Sequence, residues 1–301
     1  MDQLQSLKTL CGAIGCPCLE QEPMSRHTTM RVGGPAALFL EPSSIEQIGE
    51  ILRHCRRTGL DCRILGNGSN LLVKDEGVAA VVLHMGPAFS GVEAREKNRL
   101  YAAAGTSLNT LCSQALSLGL TGLEFAWGIP ASVGGAVYMN AGAYGGEIKD
   151  VLERVWLFTP EGELREVLAE ELHLSYRHSD LMENGCVVAG AQFALTPGEP
   201  AGIRARMDDL IGRRREKQPL EYPSSGSTFK RPEGAYAAQL IDQCGLKGLR
   251  VGGAMVSEKH AGFVINYDGA SCADLEELIR QVQQTVWERT GYRLECEVKR
   301  W

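Results

Sequence analysis

Apolar residues recur at helical spacing at Leu4, Leu7, Cys11 and Ile14, which predicts a short opening helix before a loop marked by Pro17 and Pro23. Behind Gly33, Gly34 and Pro35, the run Ala37 to Leu40 reads as a strand. Ser44 with Gln47 gives the capping-box spacing at the head of a helix that buries Ile48, Leu52 and Cys55 and ends at Gly59. Cys62 to Leu65, Leu71 to Val73 and Val78 to Leu83 are short β-rich runs separated by glycine-bearing turns, so residues 1–80 read as a small α/β unit. The loop Gly66-Asn67-Gly68-Ser69-Asn70 follows directly on the first of these runs.

Residues 81–200 form a second, β-rich region. Gly91 to Ala94 and Tyr101 to Ala104 are strand-like, and Leu108, Leu111, Ala115 and Leu118 predict a helix closing at Gly119. Val151 to Phe158 and Leu164 to Val167 flank the turn Pro160-Glu161-Gly162, a hairpin pattern, and Val187 to Leu195 supplies another apolar strand. Pro197-Gly198-Glu199-Pro200 reads as a linker to a third region, residues 201–301. There Ile203, Met207 and Leu210 start a helix that turns basic at Arg213-Arg214-Arg215, and a loop runs from Tyr222 to Pro232. A helix from Ala235 to Cys244 follows, then a long one with Leu275, Leu278, Ile279, Val282 and Val286 on one face. Tyr292 to Val298 reads as a final strand.

Length and composition narrow the class. With 301 residues, 44% hydrophobic and 23% charged, the chain fits an ordinary globular protein of two or three domains. A net charge of −6 argues against a generally basic, nucleic-acid-binding surface and leaves room for a local basic cleft that takes a small anionic ligand. No run approaches the roughly 20 apolar residues that span a bilayer, and the first 30 residues lack an uninterrupted apolar core, so a cytoplasmic protein is expected. The ten cysteines are scattered and include no CxxC pair, which points to buried or incidental thiols and to no metal.

One segment stands out. Gly128 to Gly146 holds six glycines and four alanines in nineteen residues, too many for a well-packed helix or strand. Backbone amides stripped of side chains let a diphosphate approach closely, and Gly66 to Asn70 offers a second such cradle. Familiar nucleotide motifs do not account for either loop. Gly66-Asn67-Gly68 lacks the third glycine and following helix of a Rossmann fingerprint, and the chain has no Gly-Lys-Ser/Thr ending, HExxH helix or GxSxG elbow. Backbone physics alone therefore leads to a diphosphate-bearing cofactor.

A resemblance carries the reading further. Thr28 to Pro35, the Gly66 to Asn70 loop and Gly128 to Gly146 occur in the order of the motifs of the UDP-N-acetylenolpyruvoylglucosamine reductase family. The similarity continues through Leu174-Ser175-Tyr176-Arg177, Lys217-Gln218-Pro219, Gly226-Ser227-Thr228-Phe229-Lys230, His260-Ala261-Gly262-Phe263 and Glu297-Val298-Lys299, so it spans almost the whole chain. It departs at Cys296, where the family commonly has proline, at Ala131, a frequent glycine, and at Arg231, where some relatives carry asparagine.

The resemblance implies an α+β fold, with vanillyl-alcohol-oxidase-type (PCMH-type) FAD-binding domains and a C-terminal α+β substrate-binding domain. Residues 1–80 and 81–200 would be the two FAD-binding subdomains, and 201–301 the substrate domain, its last strand returning to the active site. The implied reaction is NADPH-dependent, FAD-mediated reduction of UDP-N-acetylglucosamine enolpyruvate to UDP-N-acetylmuramate, a cytoplasmic step of peptidoglycan synthesis. The partner is then a small molecule, not nucleic acid or membrane. By motif match Arg177 holds and polarises the substrate carboxylate, Ser227 donates the proton, and Glu297 positions or protonates the intermediate. The flavin falls to Arg31, Gly66, Asn67, Gly68, Ser69, Asn70, Gly128, Ser132, Gly134, Gly135, Asn140, Gly142 and Arg214, and the substrate to Tyr176, Lys217 and Lys230. Local sequence does not choose between Ser224, Ser225 and Ser227; the resemblance does. His260 is read as a packing residue. Two alternatives stay open: another FAD oxidoreductase of this fold acting on a hydroxy acid or sugar, and a non-catalytic flavin-binding sensor.

Overall fold

The computed structural model describes residues 3–301. Its helices are Gln3–Ile14 (α1), Ile45–Thr58 (α2), Leu108–Ser117 (α3), Val133–Tyr138 (α4), Leu181–Asn184 (α5), Pro200–Lys217 (α6), Ala237–Gln243 (α7) and Cys272–Thr290 (α8). Ser44 caps α2 as its spacing predicts, its Oγ accepting from Gln47 N at 3.3 Å. The return bond slips by one residue, since Gln47 Oε1 accepts from Ser43 N at 2.7 Å.

Contacts divide the chain into two compact units, neither of them a contiguous segment. The first comprises Met1–Gln21, Ala37–Asn67 and Ala79–Gly212; the second comprises Glu22–Ala36, Gly68–Val78 and Arg213–Trp301. The Pro197 to Pro200 turn signal is itself structured: Thr196–Pro197 pairs with Leu120–Thr121, and Pro200 opens α6, where its missing N–H costs nothing. The division falls further on, after Gly212.

Two larger sheets dominate the first unit. One has the order Cys18–Pro23, Pro35–Leu40, Val78–His84, Cys62–Leu65, the last pair parallel with Cys62 opposite Val81. Val78–His84 lies inside this sheet, which explains why it reads as continuous apolar sequence rather than an alternation. The other sheet runs Leu164–Leu168, Leu152–Phe158, Val187–Ala194, Arg99–Ala103, Val92–Arg95, antiparallel throughout. Its central strand Val187–Ala194 is buried along nearly its whole length and carries α4 on one face. A single apolar core extends from Leu7 to Met207.

In the second unit α8 covers a three-stranded antiparallel sheet, Arg250–Val251, Ala254–Val256 and Val264–Asn266. Leu275, Leu278, Ile279, Val282 and Val286 form the buried stripe of α8, each contributing about 2 kcal/mol of gross apolar burial. The Ser271 Oγ accepts from Asp274 N and the Asp274 carboxylate from Ser271 N, both at 3.0 Å. Asp75 adds a second anion at this positive helix end, accepting from Cys272 N at 2.8 Å and Ala273 N at 3.0 Å.

Two sequence expectations need correction. The small-residue segment holds a helix, α4, because Ser132 caps it and Val133, Ala136 and Val137 are fully buried. The predicted terminal strand Tyr292 to Val298 forms only an isolated bridge, Phe229 to Cys296. The terminal ladder is Lys299–Arg300, parallel to Leu71–Leu72.

Candidate active site

The two glycine-rich loops meet within the first unit. A Cβ on Gly66 would lie 2.2 Å from Ser132 Oγ, so glycine lets the end of the strand Cys62–Leu65 approach the capping residue of α4. Asn67 Nδ2 donates to the Pro130 carbonyl at 3.3 Å, and Gly128 N donates to Asn109 Oδ1 at 2.8 Å. The first amides of α4 bond to the protein itself: Val133 N to Thr106 O at 2.8 Å, Gly134 N to Ala104 O at 2.9 Å, and Gly135 N to Ser132 Oγ at 3.4 Å. Gly128, Ile129, Ala131, Gly134 and Gly135 nevertheless stay half-buried and Pro130 is exposed. This strip of thinly covered backbone fits close approach by a planar, diphosphate-bearing group.

The same segment holds Arg177. Ser175 and His178 exchange backbone bonds of 3.1 and 3.2 Å, closing a tight turn with Tyr176 and Arg177 at its tip. Arg177 has φ +55°, Tyr144 +54° and Asn140 +41°, a cluster of left-handed non-glycine residues of the kind that concentrates at functional sites. Asn140 is completely buried; its Nδ2 donates to Ser175 O at 2.8 Å and to Glu147 Oε2 at 2.6 Å, and its Oδ1 accepts from Lys149 N at 3.0 Å. Ser179 Oγ donates to Tyr138 O at 2.6 Å. Arg177 Nη2 donates to Gly142 O at 2.9 Å, and its guanidinium carbon lies 5.1 Å from the centre of the Tyr176 ring. A cavity of about 520 Å³ opens beside Tyr144 and Gly146, with Glu124, Phe125 and Arg206 in its wall.

Ser227, Glu297 and the rest of the Gly66 to Asn70 loop belong to the second unit. Gly68, at φ +59°, passes so close to His27 that a Cβ would meet its carbonyl oxygen at 2.0 Å. Asn70 reaches the C-terminal segment twice: its Nδ2 donates to Glu297 O at 3.1 Å and its carbonyl accepts from Lys299 N at 3.0 Å. Glu297 N donates to Thr228 O at 2.9 Å, which fixes the backbone of Glu297 beside that of the residue following Ser227. The serine loop is pinned at both ends. Thr29 Oγ1 donates to Ser224 O at 2.7 Å, and Thr228 Oγ1 accepts from Val264 N at 3.0 Å. Between these pins Ser227 is exposed and Ser225 buried.

The remaining positions are more dispersed. Lys230 pairs with Glu295, Arg231 stacks 3.9 Å from the centre of the Tyr236 ring, and Lys217 is exposed at the end of α6. Arg214 is buried, its Nη1 3.5 Å from Gln218 Oε1. Arg31 is exposed at φ +57°, its N–H donating to Thr28 O, and Ser69 is half-buried. His260 Nδ1 accepts from Gly262 N at 3.1 Å, and burial pulls its pKa below the usual imidazole value. All ten cysteines are free, and burial pushes the Cys112 and Cys272 thiols up to about 12, so both stay protonated. Among the described residues no cluster of His, Cys, Asp or Glu could hold a metal, and no helix is long and apolar enough to cross a membrane.

Sequence reasoning missed Ser179, Asn109 and Thr29. A lone hydroxyl or amide bonded to a distant backbone carries no periodic signal. Glu147 could have been found, because Glu147 and Asp150 have capping-box spacing and form that box here.

Residues 36–168 match the family described as FAD binding domain, and residues 218–301 match UDP-N-acetylenolpyruvoylglucosamine reductase, C-terminal domain. The chain is 48% identical over 292 residues to the UDP-N-acetylenolpyruvoylglucosamine reductase of Agathobacter rectalis, with 93% of each covered. Among solved structures it is similar to UDP-N-acetylenolpyruvylglucosamine reductase from Thermus caldophilus, with TM-score 0.82 and 39% identity over 95% of this chain and 99% of that one. Berberine bridge enzyme from Eschscholzia californica shares the fold alone, with TM-score 0.51 and 16% identity over 66% of this chain and 44% of that one. The fold class is the one the sequence led to expect: α+β, with FAD-binding domains of the vanillyl-alcohol-oxidase type and a C-terminal α+β domain.

Proposed function

The chain belongs to the UDP-N-acetylenolpyruvoylglucosamine reductase family, and from that membership together with the site geometry we infer how its residues work. It is an FAD-dependent oxidoreductase that reduces the enolpyruvyl group of UDP-N-acetylglucosamine enolpyruvate, giving UDP-N-acetylmuramate for peptidoglycan synthesis. When bound and reduced by NADPH, FAD supplies the hydride that the terminal carbon of the enol ether accepts. Negative charge then moves into the attached carboxylate, which must be held, and the neighbouring carbon must be protonated.

Arg177 holds that carboxylate. A guanidinium stays charged and offers a fork that matches two carboxylate oxygens. Ser227 gives the proton, since a hydroxyl is acid enough for a base as strong as an enolate. Glu297 positions or protonates the intermediate, and Tyr176, Lys217 and Lys230 contact the substrate. Arg31, Gly66 to Asn70, Gly128, Ser132, Gly134, Gly135, Gly142 and Arg214 line the flavin. We assign the flavin-binding subdomains to the first unit and the substrate domain to residues 213–301, in a cytoplasmic enzyme that uses NADPH and meets no nucleic acid or membrane.

The observation that carries this reading is the bond from Glu297 N to Thr228 O, 2.9 Å long, which brings two distant motifs together next to Ser227. Ser227→Ala should leave flavin reduction by NADPH intact and abolish reduction of the sugar. Turnover at the parent's rate in that variant would remove Ser227 as the acid.

A further inference from the structure

We propose that Asn140 and Ser179 are positioning residues for Arg177, a role that rests on the reading of Arg177 as the carboxylate-binding cation. The Arg177 turn is short, its Ser175 exposed and its tip in a left-handed conformation. Two wholly buried side chains tie it to the glycine-rich segment, each crossing to the other segment's backbone. Asn140 donates to Ser175 O at 2.8 Å from the glycine-rich side, and Ser179 donates to Tyr138 O at 2.6 Å from the turn side.

Asn140 also governs the other end of the arginine. Its second amide hydrogen goes to Glu147 Oε2 at 2.6 Å, and Glu147 is the ladder partner of Gly142 in the short hairpin Gly142–Ala143 with Gly146–Glu147. The Gly142 carbonyl receives Arg177 Nη2 at 2.9 Å. One asparagine thus sets the backbone of the turn through Ser175 and the guanidinium through the hairpin. Both donors of its amide are committed to the protein, and φ +41° is a conformation that asparagine tolerates better than most residues. Asn140 therefore serves the arginine instead of contacting the flavin.

A double-mutant cycle on the FAD-loaded enzyme, read in its two half-reactions, tests this. Ser179→Ala should slow reoxidation of the reduced enzyme by the enolpyruvyl sugar about tenfold, the effect of one buried hydrogen bond felt in the transition state. Flavin reduction by NADPH should change by less than about twofold, because a carboxylate-binding arginine takes no part in it. In an Arg177→Met background Ser179→Ala should add no further loss, and Ser179→Thr, which keeps the hydroxyl, should restore most of the rate. Should Ser179→Ala not retain flavin, Asn140→Gly, which accepts the left-handed backbone and removes the side chain with its amide, enters the same cycle with the same expectation. Equal losses in both half-reactions, or a loss undiminished by Arg177→Met, would overturn the positioning role while leaving Arg177 its own. Reoxidation untouched by Arg177→Met would overturn the reading of Arg177, and this role with it.

Discussion

Gly68→Ala is a demanding perturbation, because every atom it strikes is backbone. The new methyl would sit 2.0 Å from the His27 carbonyl oxygen and 3.0 Å from Thr28 Cα, so no side-chain rotation relieves it. A non-glycine residue at φ +59° costs about 1 kcal/mol on its own. Opening the contact to an ordinary carbon–oxygen separation needs a shift of roughly 1 Å in the 27–29 turn, and overpacking of that kind costs about 1–3 kcal/mol. The bond from Thr29 N to Gly68 O, 3.2 Å, lies in the path of the shift. The expected loss is about 2–4 kcal/mol, read from the urea midpoint of the purified protein at constant denaturant slope. Gly12→Ala is the matched control: Gly12 sits in the last turn of α1 with nothing within 4 Å of its missing Cβ, so alanine should gain up to about 0.5 kcal/mol there. A Gly68→Ala protein as stable as its parent would refute the steric argument.

Further outcomes follow from the helix ends and the histidines. Ser271→Ala removes the acceptor for Asp274 N and should cost about 1 kcal/mol in the same urea assay, whereas Asp75→Ala, which strips two amides of α8, should cost about 2 kcal/mol. If Asp75→Ala is the milder of the two, the double anchoring of α8 is misread. Burial lowers the pKa of His260, and burial followed by Arg57 lowers that of His54, so the unfolded chain takes up these protons more readily than the folded one. Their contribution to stability is therefore complete above the ordinary imidazole value of 6.5 and is lost as pH falls below it. The urea midpoint should drop between pH 7.5 and about 5.5, and less steeply in His260→Gln. An unchanged slope in that variant would mean His260 is protonated as easily in the fold as outside it.

Long periodic elements were legible in the sequence. The α8 stripe from Leu275 to Val286, the Ser44 cap and the strand Val187–Ala194 lie where spacing and apolar runs predict them. Ala254–Val256 and Val264–Asn266 were not legible, since three residues are too few to show an alternation. Tyr292, Leu294, Cys296 and Val298 alternate as a strand should, yet their backbone meets residues 228–230 only at intervals. The assembly of Glu22–Ala36 and Gly68–Val78 with the C-terminal residues depends on contacts such as Asp75 at α8 and Leu71–Leu72 beside Lys299–Arg300, which have no local signature. At the site, motifs marked Arg177, Ser227 and Glu297. They did not reveal that Asn140 and Ser179 tie the arginine turn to the glycine-rich segment, because those bonds span 35 and 41 residues.

Anaerobic single-turnover mixing of the NADPH-reduced enzyme with UDP-N-acetylglucosamine enolpyruvate tests the assigned reaction most directly. Rapid return of oxidised-flavin absorbance, with one UDP-N-acetylmuramate formed per flavin, is the predicted result. A flavin that stays reduced after mixing, or that reoxidises without forming that product, would contradict it.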